Sequence, residues 1–188
     1  SLSTSNLVDE IILAMSKRGV LDCLSAGVPD RRAHNTTVPF DLILASSIAA
    51  KMKIHSSMSD IPFAITDHRT LAELGYTLYD PDGVYQGLMR EGALRHLVEM
   101  SSGYDFINAY RRTVQKQILL QLEVTPHIHI MDSTPLEVNL DNKNYEYATI
   151  GKNKHGEQTR GYTMLTVRGL YQDTGIIEEA VVFPMSYG

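Results

Sequence analysis

The stretch His127-Ile128-His129-Ile130-Met131-Asp132-Ser133-Thr134 decides how this chain is read. Alternation along a strand puts Ile128, Ile130 and Asp132 on one face and His127 and His129 on the other. Two apolar side chains thus lead into a carboxylate, and the pattern predicts a strand over 127 to 132 that ends at Asp132. Strand ends are where sheet proteins place catalytic groups, because the core fixes the backbone while the tip reaches solvent. A carboxylate there can ligate Mg²⁺, which takes oxygen ligands and often only one or two carboxylates. The competing reading is an Asp that caps the turn opened by Ser133 and Thr134, and spacing alone leaves both open.

Outward from this stretch the chain changes character near Thr125-Pro126. Nearly everything before it has helical periodicity and nearly everything after it reads as strand and loop, which predicts an α+β fold. The expected division is a helical region over 1–125 and a β region over 126–188. In the first, Leu7, Ile11, Ala14 and Met15 mark one face of a helix that Gly19 ends. Residues 40 to 52 are apolar on almost all sides, as in a buried helix, with Pro39 at its first turn. Thr66 or Asp67 caps a short helix ending at Leu74-Gly75, and Asp80-Pro81-Asp82-Gly83 is turn chemistry. Short helices over 84 to 89 and 93 to 100 are expected next. A long helix from Tyr104 to about Leu122 follows, with Ile107, Tyr110, Val114, Ile118 and Leu122 as its core face. In the second region, residues 139 to 159 read as a long loop or short helix. Strands over 161–172 and 176–184 flank a hairpin turn at Asp173-Thr174-Gly175. The three strands are expected to form an antiparallel sheet in the order 1-2-3.

The composition narrows the function classes. The chain has 188 residues, 43% of them hydrophobic, enough for a core. No apolar run approaches the ~20 residues that span a bilayer, and no signal segment opens the chain, so no membrane partner and a cytoplasmic location are expected. One cysteine, Cys23, excludes an intrachain disulfide framework and a Cys-rich zinc site. The formal net charge of −5 counts against a dedicated nucleic-acid module, whose domains are usually basic. The charge is uneven, however: Lys143, Lys152, Lys154, Arg160 and Arg168 face only Glu146 and Glu157 over residues 143 to 168.

Candidate contacts to phosphate are Lys152, Lys154 and Arg160 beside the candidate strand, and Arg111, Arg112 and Lys116 on the long helix. Each is equally at home on a solvated surface. A helix-turn-helix-like unit over the 66–75 helix, the 80–83 turn and the helix after it is a further DNA-binding candidate. His127 and His129 form a His-x-His pair that would suit a metal-dependent hydrolase if later strands added ligands; the bland alternative is packing or solvent. Gly-rich phosphate loops and a G-x-S-x-G elbow are absent.

Ile130-Met131-Asp132-Ser133-Thr134, then a Lys/Gly-rich gap, then Thr163 to Val167, Asp173-Thr174-Gly175 and Val181 to Pro184, resembles the DDE transposases of the insertion-sequence type. The resemblance covers about residues 126 to 188; residues 1 to 125 match only in being helical, as the DNA-binding and dimerisation parts of such proteins are. It implies an incomplete RNase H-like catalytic core and two-metal phosphoryl transfer with Mg²⁺ or Mn²⁺. It also implies DNA, in the form of transposon ends, as partner, and a homodimer. Asp132 would be the first catalytic, metal-holding carboxylate. The family's second Asp and its Glu have no counterpart up to Gly188, so the expectation is an N-terminal portion that is inactive alone. The alternatives are a non-catalytic DNA- or protein-binding helical remnant and the His127/His129 hydrolase. A partly built sheet exposes an edge and a face, so self-association, or cover by a helix from residues 1 to 122, is expected as well.

Overall fold

The computed structural model describes residues 4–32, 36–54, 57–122, 125–141, 143–153 and 155–185. The fold is mixed α+β: helices come first and a small antiparallel sheet follows. The chain divides into two compact units, Ser1–Thr113 and Val114–Gly188.

The first unit is a helical cluster around one apolar core. Helix α1 (Thr4–Lys17) buries Val8, Ile12 and Leu13 on one stripe. Gly19, at φ 71°, turns the chain into α2 (Val20–Ser25), a left-handed conformation that glycine takes without steric cost. Helix α3 (Phe40–Met52) starts directly after Pro39 and buries Leu42, Ile43, Ala45, Ser46, Ala49 and Ala50, so the near-continuous apolar run is the centre of the unit. Helix α4 (His68–Glu73) is capped by Asp67, whose carboxylate accepts hydrogen bonds from both the backbone N–H and the hydroxyl of Thr70, each at 2.8 Å. Those two bonds hold the Asp67 carboxyl below the usual carboxylate range. Helix α5 (Glu91–Met100) contributes Leu94 and Leu97.

Two expectations fail here. Residues 84 to 89 are not helical. The Asp80 carboxylate accepts from the N–H groups of Asp82 and Val84, and Asp80 N–H donates to the Val84 carbonyl, closing a turn that pairs Tyr79 with Tyr85. Gly83 and Gly87, both at positive φ, bracket the segment and leave too few residues for a helix. The helix-turn-helix-like reading loses its second helix. The long helix is interrupted as well. Helix α6 (Gly103–Val114) passes into a π-helical turn (Gln115–Leu119) before α7 (Leu120–Leu122). Its buried positions are Ala109, Thr113 and Val114, whereas Tyr110, Ile118 and Leu122, assigned to the core by spacing, are exposed. Ala109 is small because α6 crosses the chain at Gly27, where a Cβ would lie 2.6 Å from the Ala109 Cβ.

The second unit is a four-stranded antiparallel sheet built on β3 (Gln158–Tyr171). Strand β1 (Ile128–Val138) pairs along one side, from Ile128↔Leu170 to Val138↔Arg160. On the other side, β2 (Thr149–Lys152) pairs with the start of β3 and β4 (Thr174–Pro184) with the rest. The three long strands lie side by side as β1, β3, β4, the order expected. Strand β2 corrects the expectation of loop or helix over 139 to 159. It returns into β3 through a tight turn in which the Asn153 side-chain oxygen accepts from the N–H groups of His155 and Glu157. The β3–β4 hairpin turns at Gln172-Asp173, one residue earlier than expected, with Gln172 at φ 53°.

Strand β1 is also longer than predicted. It does not stop at Asp132 but runs through Pro135 to Val138. Proline lacks the N–H that a central strand needs on both sides, and an edge strand tolerates it. All of β1 up to Glu137 is exposed.

Candidate functional site

Because β1 continues, Asp132 sits in mid-strand rather than at a tip. Its partner across the ladder is Thr166 of β3, whose hydroxyl donates to the Asp132 main-chain carbonyl at 3.4 Å. Ladder partners share a face, so Asp132 lies beside Thr166, with Ile130, Thr134, Met164 and Arg168 as its same-face neighbours. The carboxylate stands exposed beside the Thr166 position, and Arg168, diagonal to it in the ladder, lays its guanidinium over Gly175 of β4 instead. Hydroxyls and one carboxylate are hard oxygen donors of the kind Mg²⁺ and Mn²⁺ take.

The opposite face carries a cluster that spans three strands. The register of β3 and β4 slips between Val167↔Glu179 and Arg168↔Ile177, leaving Glu178 as the extra residue of a β-bulge. From there its carboxylate lies 3.0 Å from Nε2 of His129 on β1, and Tyr171 of β3 donates its hydroxyl to Oε1 of the same carboxylate. The strand between them offers no obstruction because Gly169 sits there. A Cβ on Gly169 would fall 2.3 Å from Glu178 Oε1 and 2.9 Å from the Tyr171 ring. Burial, then the hydrogen bond to the Glu178 carboxylate and its charge, push the Tyr171 hydroxyl up to about 12. It is therefore a donor throughout the physiological range.

Comparison with protein-family models, curated proteins and solved structures finds no match. The function must be argued from the residues themselves.

The predicted contact residues lie on several elements. Lys152 is exposed on β2, and Lys154 lies outside the described residues. Arg160 turns its guanidinium to the main chain, donating through Nε to the Ala148 carbonyl at 3.0 Å and through Nη2 to the Tyr145 carbonyl at 3.2 Å. It orders the 145–148 segment ahead of β2. Arg111 donates to Asn108 Oδ1 at 3.4 Å, and Arg112 and Lys116 are exposed. His127 is exposed at the start of β1, and His129 shares the face opposite Asp132 with Glu178. Among the described residues no set of three His, Cys, Asp or Glu side chains converges as a metal site.

Glu178, Tyr171 and Gly169 were not singled out in the sequence. Gly169 inside a strand-forming run was the available signal, since such a glycine often marks close approach of other groups.

Proposed function

We propose that this chain carries the first carboxylate of a DDE-type DNA transposition machinery, with Asp132 as that residue. The observation supporting this reading is the run of three long antiparallel strands in chain order β1, β3, β4, with an exposed carboxylate on the first strand beside the Thr166 and Thr134 hydroxyls. In the reaction the resemblance implies, two divalent cations about 3.5–4 Å apart stabilise the attacking and leaving oxygens of a phosphodiester exchange. The donor set of one chain does not fit that demand. Asp132 is a single carboxylate, and its same-face ladder neighbours Met164, Thr166 and Arg168 add no second acid. Its role within this chain is to present an anionic oxygen on a strand fixed by eleven ladder pairs. Transposon-end DNA is the proposed partner, with Arg112, Lys116 and Lys152 as solvent-facing cations for its phosphates.

The test is cleavage of end-containing duplex DNA with Mg²⁺ or Mn²⁺ by this chain and by Asp132→Ala. The chain alone is expected to show no cleavage. A longer protein that also carries the second Asp and the Glu is expected to cleave, and Asp132→Ala is expected to abolish that activity. Metal-dependent cleavage that survives Asp132→Ala would refute the assignment. Binding to duplex DNA at low ionic strength is expected to fall steeply with salt.

A further inference from the structure

The helical unit holds an apolar cleft of about 640 Å³ walled by α3, α5 and α6. Sites for small molecules run from roughly 300 to 1,000 Å³. Ile43, Leu94 and Leu97, each no more than 4% exposed, form its floor, so it is a concavity rather than a flat face. Ile48 and Val98 stand at its sides, and Val98 remains half exposed. Apolar surface held open to water in this way favours an apolar body that would cover it.

The polar groups of the cleft are few, and they define the rest of the ligand. Ser47 turns its hydroxyl back on its own helix, donating to the Ile43 carbonyl at 2.8 Å. Lys51, in the last turn of α3, is the one charged side chain in the lining among the described residues, and it is exposed. Among those residues its ammonium pairs with no acid. The cleft thus offers hydrocarbon walls and one unneutralised positive charge at its mouth.

We propose that this cleft binds an amphipathic carboxylate, with an alkyl chain of about ten to fourteen carbons between the helices and its head group on Lys51. A methylene group is about the size of a water molecule, whose share of the liquid is about 30 Å³, so such a chain fills roughly 300–420 Å³ and leaves room for the head. One ammonium suits a singly charged carboxylate, whereas a phosphate group recruits several donors. A docked helix fits worse: it is about 10–12 Å across with its side chains and rises about 5.4 Å per turn, so the cleft admits little more than one turn. The cleft lies in the helical unit and is independent of Asp132.

Isothermal titration calorimetry of this chain with octanoate, decanoate and dodecanoate, each below its micelle concentration, tests the site. Saturable binding is expected, tightening about tenfold or more with each added pair of methylenes, because each buried methylene contributes about a fourfold gain. Lys51→Glu should weaken dodecanoate binding at least about tenfold and change that of decan-1-ol less than about twofold. Val98→Trp places a large ring in the cleft from a half-exposed position and should weaken acid and alcohol alike, at least about tenfold, with helical content checked by circular dichroism. Lys51 is exposed, so its variant keeps the test open should Val98→Trp not fold. No saturable binding, equal affinity for the three acids, or binding indifferent to a folded Val98→Trp overturns the proposal. Dodecanoate binding unchanged in Lys51→Glu overturns the head-group pairing. Binding by this chain that is lost in a longer protein would place a later segment in the cleft and overturn the carboxylate as its occupant.

Discussion

Gly169→Ala measures whether the three-strand cluster opposite Asp132 contributes to the sheet. The added Cβ would stand 2.3 Å from Glu178 Oε1 and 2.9 Å from the Tyr171 ring edge. Glu178 has a flexible side chain, so it can swing away, but then it leaves both Tyr171 and His129. Losing the hydrogen bond between the buried Tyr171 hydroxyl and a carboxylate costs about 1.5–3 kcal/mol. The His129–Glu178 pair adds little, roughly 0–1 kcal/mol, because half of the His129 side chain faces solvent. A total near 2–3 kcal/mol is expected, measured by urea unfolding followed by circular dichroism and tyrosine fluorescence, as the chain has no Trp. The same substitution in a Tyr171→Phe background isolates the cause. The ring contact persists there while the hydroxyl is gone, so Gly169→Ala should cost at least about 1 kcal/mol less. A cost below about 0.5 kcal/mol in the parent chain, or an equal cost in both backgrounds, would refute the reasoning.

Tyr171 also predicts a pH dependence. Burial and the Glu178 carboxylate push its hydroxyl up from about 10 to about 12, so the folded state holds the proton more tightly than the unfolded state. Its contribution is complete below pH 10 and is lost as the pH rises towards 12; the urea midpoint should fall over that window more in the parent than in Tyr171→Phe. In the helical unit, burial outweighs Lys53 and raises the Asp9 carboxyl, although Lys53 Nζ lies 3.8 Å from Asp9 Oδ1. Asp9→Asn should therefore leave stability at pH 7 unchanged or increased, and a loss above about 1 kcal/mol would count against this account. Gly27→Ala should destabilise by about 1–3 kcal/mol because its Cβ meets Ala109 backbone and Cβ, whereas Gly92→Ala, with open space around it, should stabilise α5 by about 0.4–1 kcal/mol in the same unfolding assay.

The helical unit was legible where one signal dominated. Residues 40 to 52 are apolar all round, and α3 is the buried centre. Asp67 precedes Thr70 at capping distance, and it caps α4. Legibility failed where two weak preferences competed. Residues 84 to 89 have a helix-compatible pattern, but glycines at 83 and 87 take positive φ and Tyr79 pairs with Tyr85. The 104–122 periodicity identified a helix yet not its buried stripe. Close approach to Gly27 selects small Ala109, and the π turn after Val114 shifts the angular positions of Ile118 and Leu122.

In the sheet, Ser133 and Thr134 read as the opening of a turn, and a carboxylate at a strand tip is a familiar arrangement. The strand continues instead through Pro135 to Val138, and because β1 pairs on one side only among the described residues, the N–H that proline lacks is tolerable there. Moving Asp132 to mid-strand changes the kind of site it can belong to. At a tip, further ligands could come from the loops that follow. In mid-strand the ladder sets its surroundings instead: Thr166 stands directly across, with Met164 and Arg168 on the diagonals of the same face. These neighbours add a hydroxyl oxygen and no second acid, so the Asp132 assignment stands or falls on the activity of a longer protein with and without Asp132→Ala, because only there could further carboxylates join it.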